Sequence, residues 1–148
     1  MGLAKYSKLI KKIYEKELKL RLAEWRKQPT IVKLEHPTLI WKARMLGYKA
    51  KQGIIVVRVR VKKGKFSRQR PRTGRRPKRM GTTRLTIKKS LRLIAEEKAQ
   101  RKFPNMEVLN SYYVAEDGMY KWYEVILVDP YSTSIKKDKN LNWIYRRE

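Results

Sequence analysis

The chain has 148 residues, with 39 Lys and Arg against 13 Asp and Glu, for a formal net charge of +26. It contains no cysteine, which excludes disulfides, thiolate metal sites and cysteine nucleophiles and fits a reducing cytosol. Its longest purely apolar runs, 54–57 and 125–128, fall far short of the roughly 20 residues of a membrane helix, yet an apolar fraction of 41% with four Trp and nine Tyr is enough for a folded core.

Residues 3–27 repeat large apolar side chains at spacings of three and four: Tyr6, Ile10, Ile13, Tyr14, Leu18, Leu22 and Trp25. Lys8, Lys11, Lys12, Lys16 and Lys19 occupy the opposite face, so residues 1–28 are predicted to form an N-terminal amphipathic helix. These lysines, with Lys5, also interrupt any signal-peptide apolar stretch. Pro29 ends the helix, because the residue before a proline is pushed out of helical geometry. Thr30–Glu35 reads as a short strand, broken by His36-Pro37. Thr38 is a candidate N-cap for a short helix through Leu46, with Gly47 as its stop.

Gly53–Lys62 carries the strongest strand signal. Ile55, Val57, Val59 and Val61 alternate on one face. The other face starts with Ile54 and Val56 and changes to Arg58, Arg60 and Lys62, which predicts a row of cations facing outward. From Lys62 to Arg84 the pattern breaks down: 11 of 23 residues are basic, none is acidic, and Gly64, Pro71, Gly74, Pro77 and Gly81 preclude a continuous helix or strand. Residues 62–86 are thus expected to form an extended basic loop, disordered on its own in water. Thr86 is a candidate cap for a helix from Ile87 to about Lys102, with Ile87, Leu91, Ile94, Ala95 and Ala99 as its buried stripe. Val108–Ala115 and Tyr120–Val128 flank Asp117-Gly118, a hairpin signal that calls for positive φ at both turn residues. The tail from Tyr131 offers Trp143, Ile144 and Tyr145 as anchors. Four strands with intervening helices predict an α+β fold in a single domain, residues 1–148.

The catalytic inventory is nearly empty. His36 is a lone imidazole in a turn, and Glu116 and Asp117 fit a hydrated hairpin end better than a cation site. The basic inventory is full. Sixty residues, His36 to Ala95, carry 20 Lys and Arg and no acid. So one-sided a surface repels itself and needs an external anion, for which nucleic-acid phosphate is the natural source. It also predicts a free protein of marginal stability in low salt. The candidate phosphate ligands are Lys42, Arg44, Lys49 and Lys51 in and after the short helix, and Arg58 and Arg60 on the strand. They continue through the loop as Lys62, Lys63, Lys65, Arg68, Arg70, Arg72, Arg75, Arg76, Lys78, Arg79 and Arg84, and end with Lys88 and Lys89. Tyr112, Tyr113, Tyr120, Trp122 and Tyr123 on the hairpin are divided by strand alternation between core packing and base stacking, and the pattern leaves open which are which.

Two stretches carry a resemblance. They are Leu46-Gly-Tyr-Lys-Ala-Lys-Gln-Gly53 with the strand to Val61, and Val108-Leu-Asn-Ser-Tyr-Tyr-Val114 followed by Glu116-Asp117 and Tyr120-Lys-Trp-Tyr-Glu-Val-Ile-Leu-Val-Asp-Pro130. Ser90-Leu91 and Ala95-Glu-Glu-Lys98 fit as well. Over roughly residues 1–145 the chain resembles large-subunit ribosomal protein fifteen of the archaeal and eukaryotic type. The resemblance implies a small antiparallel or mixed four-stranded sheet with helices on both faces, in the order β-α-β-α-β-β. It also implies a structural, non-enzymatic protein of translation on the cytoplasmic ribosome. The expected partners are large-subunit rRNA and neighbouring ribosomal proteins, with no membrane, cofactor, metal or homo-oligomer. Members usually continue past the position of Trp143-Ile144 into a long basic arm, whereas this sequence stops at Glu148. If that difference is natural, the arm's contacts are expected to be absent or made by another component. The alternatives are a basic RNA- or DNA-binding protein outside the ribosome and, more remotely, a small RNA-processing enzyme using His36, Glu116 or Asp117.

Overall fold

The computed structural model describes residues 17–64, 69–82 and 87–145. Residues 17–27 are helical (α1) and bury Leu22 and Trp25, three apart on one face; the rest of the predicted N-terminal helix, 1–16, lies outside the described residues. Then follow β1 (Ile31–Leu34), α2 (Ile40–Met45), β2 (Ile54–Lys62), α3 (Pro77–Met80), α4 (Leu91–Lys102), β3 (Glu107–Glu116), β4 (Tyr120–Val128), α5 (Thr133–Lys136) and α6 (Asn142–Tyr145). The strands form one antiparallel sheet in the order β1-β2-β4-β3. Its centre is the β2–β4 pair, in unbroken register from Ile54 opposite Val128 to Lys62 opposite Tyr120.

Both faces of the sheet are covered, as the resemblance implied. On one face Val57, Val59, Val61, Tyr123, Val125 and Leu127 pack against Ala95 and Ala99 of α4, whose small side chains allow the helix to lie close. On the other, Ile54, Val56, Tyr112, Ile126 and Val128 pack against Ala43 of α2, Ile135 of α5, and Leu141 and Ile144 at α6. At the far end of this second face, α1 places Leu22 and Trp25 on Ala115 and Trp122. Trp25 and Trp122 meet edge to face with ring centres 6.0 Å apart.

Several boundaries differ from the sequence pattern for identifiable reasons. Helix α4 starts at Leu91 rather than Ile87, because Ser90 is the N-cap: its hydroxyl accepts the Leu93 N–H at 3.2 Å. Ile87 stays exposed, and Thr86 lies outside the described residues. Helix α2 has Leu39 at its N-cap position, while Thr38 donates its backbone N–H to the carboxylate of Glu124 at 3.1 Å. The β3–β4 turn does not use positive φ at Asp117 or Gly118. Instead the Asp117 carboxylate accepts the N–H groups of Met119 and Tyr120, at 2.8 and 2.6 Å, so a side chain closes the turn. Positive φ is needed at Gly53 (87°), where an added Cβ would come within 2.8 Å of Ser132. Of the proposed tail anchors, Ile144 is buried, whereas Trp143 and Tyr145 are substantially exposed.

Candidate nucleic-acid interface

The basic excursion leaves the sheet at the end of β2 and returns at Ser90, the cap of α4. Lys62, Arg70, Arg72, Arg75, Arg76, Lys78, Arg79 and Lys88 are all exposed. Pro77 at the first turn of α3 fixes a short helix whose last turn carries Lys78 and Arg79. Arg70 and Arg72, with Pro71, Pro77 and Met80, line an open hollow. Among the described residues of this stretch, acids engage Lys63 (Glu116, 3.3 Å) and Lys89 (Glu97, 2.5 Å). Lys65, Arg68 and Arg84 lie outside the described residues.

The group around α2 is partly occupied. Arg44 is exposed, while Lys42 donates from Nζ to the Tyr113 carbonyl at 3.4 Å on the outer strand β3. Lys49 reaches Asp138 at 3.1 Å, and Lys51 bonds both Asp138 and the Ser134 carbonyl, the latter at 3.2 Å. The Lys51 hydrogen bond, then the Asn140 N–H and Lys49, hold the Asp138 carboxyl well below the usual carboxylate range. These two lysines therefore tie the loop before β2 to the segment between α5 and α6.

Arg58 does not face outward as the strand pattern predicts. It is 7% exposed, stacks 4.0 Å from the Trp25 ring centre and donates to Gln28 Oε1 at 2.5 Å. Burial lowers its pKa and nearby Glu124 partly opposes this. Arg60 is half-buried, donating to the Arg26 carbonyl and lying 4.8 Å from the Tyr120 ring centre. The reason is α1: its apolar face covers the half of the sheet from which the arginines project.

Glu124 is the residue that sequence reasoning missed. It is fully buried, accepts the Thr38 N–H and the Tyr112 hydroxyl, and sits opposite Arg58 in the β2–β4 register. Burial and this carboxylate raise the Tyr112 pKa. The signal was an acid inside the apolar run Trp122–Val128, opposite an arginine once the strands are aligned. The hairpin aromatics also separate: Tyr112, Trp122 and Tyr123 are core, Tyr120 is half-buried, and Tyr113 is exposed with its ring edge-on to Tyr123. Glu116 bridges Lys121 at 3.0 Å and Lys63, Asp117 pairs with Arg26 at 3.1 Å, and His36 is exposed. Among the described residues no three His, Asp or Glu side chains cluster as metal ligands, and no helix is long and apolar enough to cross a membrane.

An exposed basic excursion on a sheet covered by helices on both faces agrees with what comparison with known proteins finds. The family model described as Ribosomal L15 matches residues 4–148. The large ribosomal subunit protein eL15 of Metallosphaera sedula is 61% identical over 127 residues, covering 86% of this chain and 59% of that relative. The chain thus spans less than two thirds of the length of this curated relative. A match that takes in both sequence signatures, the whole sheet and the excursion between them shows that the chain belongs to the ribosomal L15 family.

Proposed function

We propose that this chain is a structural, non-catalytic component of the large ribosomal subunit that binds large-subunit rRNA beside neighbouring ribosomal proteins on the cytoplasmic ribosome. Family membership supports the setting. The observation that carries the mechanism is the set of exposed cations Lys62, Arg70, Arg72, Arg75, Arg76, Lys78, Arg79 and Lys88 among the described residues, in a stretch without a single acid in sequence that is held on a folded sheet. The excursion supplies the phosphate contacts, with Arg70, Arg72, Arg75, Arg76, Lys78 and Arg79 as its principal ligands and Arg44 and Lys62 beside them. Arg suits the task because its planar fork donates two hydrogen bonds to one phosphate. Lys49, Lys51 and Arg58 serve the fold. The whole chain acts as one domain with residues 62–86 as its extension.

The test is the salt dependence of RNA binding by the 148-residue chain. Each phosphate contact contributes about 0.7 to 0.9 to the slope of log affinity against log salt. Replacing Arg70, Arg72, Arg75, Arg76 and Arg79 by Ala is expected to reduce that slope by roughly 3.5 to 4.5. An unchanged slope would remove the excursion from the interface.

A further inference from the structure

A hollow lies away from the excursion. It is open, about 520 Å³, and lined by Pro104, Asn105, Glu107, Asp129, Pro130 and Tyr131, where the α4–β3 turn meets the end of β4. Tyr131 is 54% exposed, and its ring meets that of Tyr145, itself exposed, edge to face with centres 6.2 Å apart. Lys136 Nζ lies 5.7 Å from the Tyr131 ring centre and 4.3 Å from that of Tyr145. Lys137 and Lys139 are exposed on the same segment, while Asp138 between them is engaged by Lys49 and Lys51. Lys136 is likewise exposed while lying over the two tyrosine rings, and the intervening acid is held by lysines from another segment.

The lining is chemically selective. Proline and tyrosine walls suit a flat ring. The carboxylates of Glu107 and Asp129 repel a bare phosphate or an acidic peptide but accept from N–H groups; Asp129 Oδ1 already accepts the Tyr131 N–H at 3.0 Å, which leaves Glu107 and the second Asp129 oxygen to receive a ligand. The neighbouring ammonium of Lys136 disfavours a basic peptide and attracts a phosphate. A nucleotide meets all three conditions when its base carries adjacent donors. Guanine does, with N1–H and N2–H₂ side by side, a pair that forks onto one carboxylate. In a duplex that edge is already paired, so the nucleotide must be unpaired.

We infer that this hollow binds one unpaired guanine nucleotide of the RNA, its base against Tyr131, its donor edge toward Glu107 and Asp129, and its phosphate toward Lys136. The inference rests on the RNA-binding function proposed above but concerns a separate surface. It is tested by fluorescence anisotropy on the 148-residue chain with two probes, a ten-nucleotide oligouridylate and the same strand with one central guanine. The guanine strand is expected to bind about tenfold tighter, within the range of a single base stacked on an aromatic ring. Y131A and E107Q should each shrink that preference to about twofold or less, while Y131F, which keeps the ring, should retain it. A wild-type chain without preference, or a preference that survives both Y131A and E107Q, overturns the guanine site while leaving the excursion's role intact. Absence of salt-dependent binding to either probe overturns the RNA-binding function, and this site with it.

Discussion

Glu124 and Arg58 show how far a single residue can be read before the strands are paired. In the chain each is one charge within an otherwise apolar or alternating run; in the sheet they stand opposite one another, beneath α1 and α2. Removing the carboxylate leaves the Arg58 guanidinium, the Tyr112 hydroxyl and the Thr38 N–H without it at once. E124A is therefore expected to cost about 3 to 5 kcal/mol, as when one partner of a buried ionic network is removed. Y112F deletes only one hydroxyl and should cost about 1 to 2 kcal/mol. Urea unfolding of both variants decides: an E124A midpoint at or above that of Y112F would show the carboxylate to be dispensable. The burial of Arg58 was hidden because alternation tells which face a side chain shares, not whether another element covers that face. The information lay in α1, whose apolar stripe of Leu22 and Trp25 had to find a surface.

At the scale of elements, strong periodicity was legible and short polar signals were not. Strand β2 alternates in sequence as it does in the sheet, and Tyr120–Val128 has the predicted bounds. The start of α4 was misplaced because both Thr86 and Ser90 are competent caps, and only packing selects between them. Leu91, Ile94, Ala95 and Ala99 reach the sheet, whereas Ile87 does not. The cap assignment predicts that S90A lowers stability by about 1 kcal/mol and that S90D, which keeps an acceptor, largely restores it. Thermal midpoints of the two variants compare them directly, and equal losses would dismiss the Ser90 cap. The hairpin turn was misread in detail for a related reason. Asp-Gly reads in sequence as a backbone signal, but Asp117 works through its carboxylate, which binds two turn N–H groups and also Arg26. In the excursion only composition was legible, since a segment without apolar periodicity carries no repeating signal from which an element can be placed.

The whole molecule must fold under a net charge of +26. Acids that oppose this charge are placed where they fasten elements together: Asp138 joins Lys49 and Lys51 to the tail, Glu116 joins Lys63 and Lys121, and Glu97 holds Lys89. The remaining cations repel one another across the surface. Salt shortens the screening length from about 30 Å at 0.01 M to about 8 Å at 0.15 M. The melting temperature of the free chain is therefore expected to rise over that interval, and to rise further with a polyanion at equal ionic strength. A melting temperature independent of salt would mean that the ion pairs within the fold already balance the repulsion.

The sheet order also sets a timetable. The strand made last, β4, lies between β2 and β3 and supplies the middle of both cores. Trp25 waits for Trp122, and β2 waits for residues 120–128, before either can reach its final partner. A chain synthesised from its N-terminus thus releases the entire basic excursion before its central strand pair can close. During that interval the polymer presents its cations with no finished scaffold behind them, so a nascent copy can be captured electrostatically first and completed as a fold afterwards.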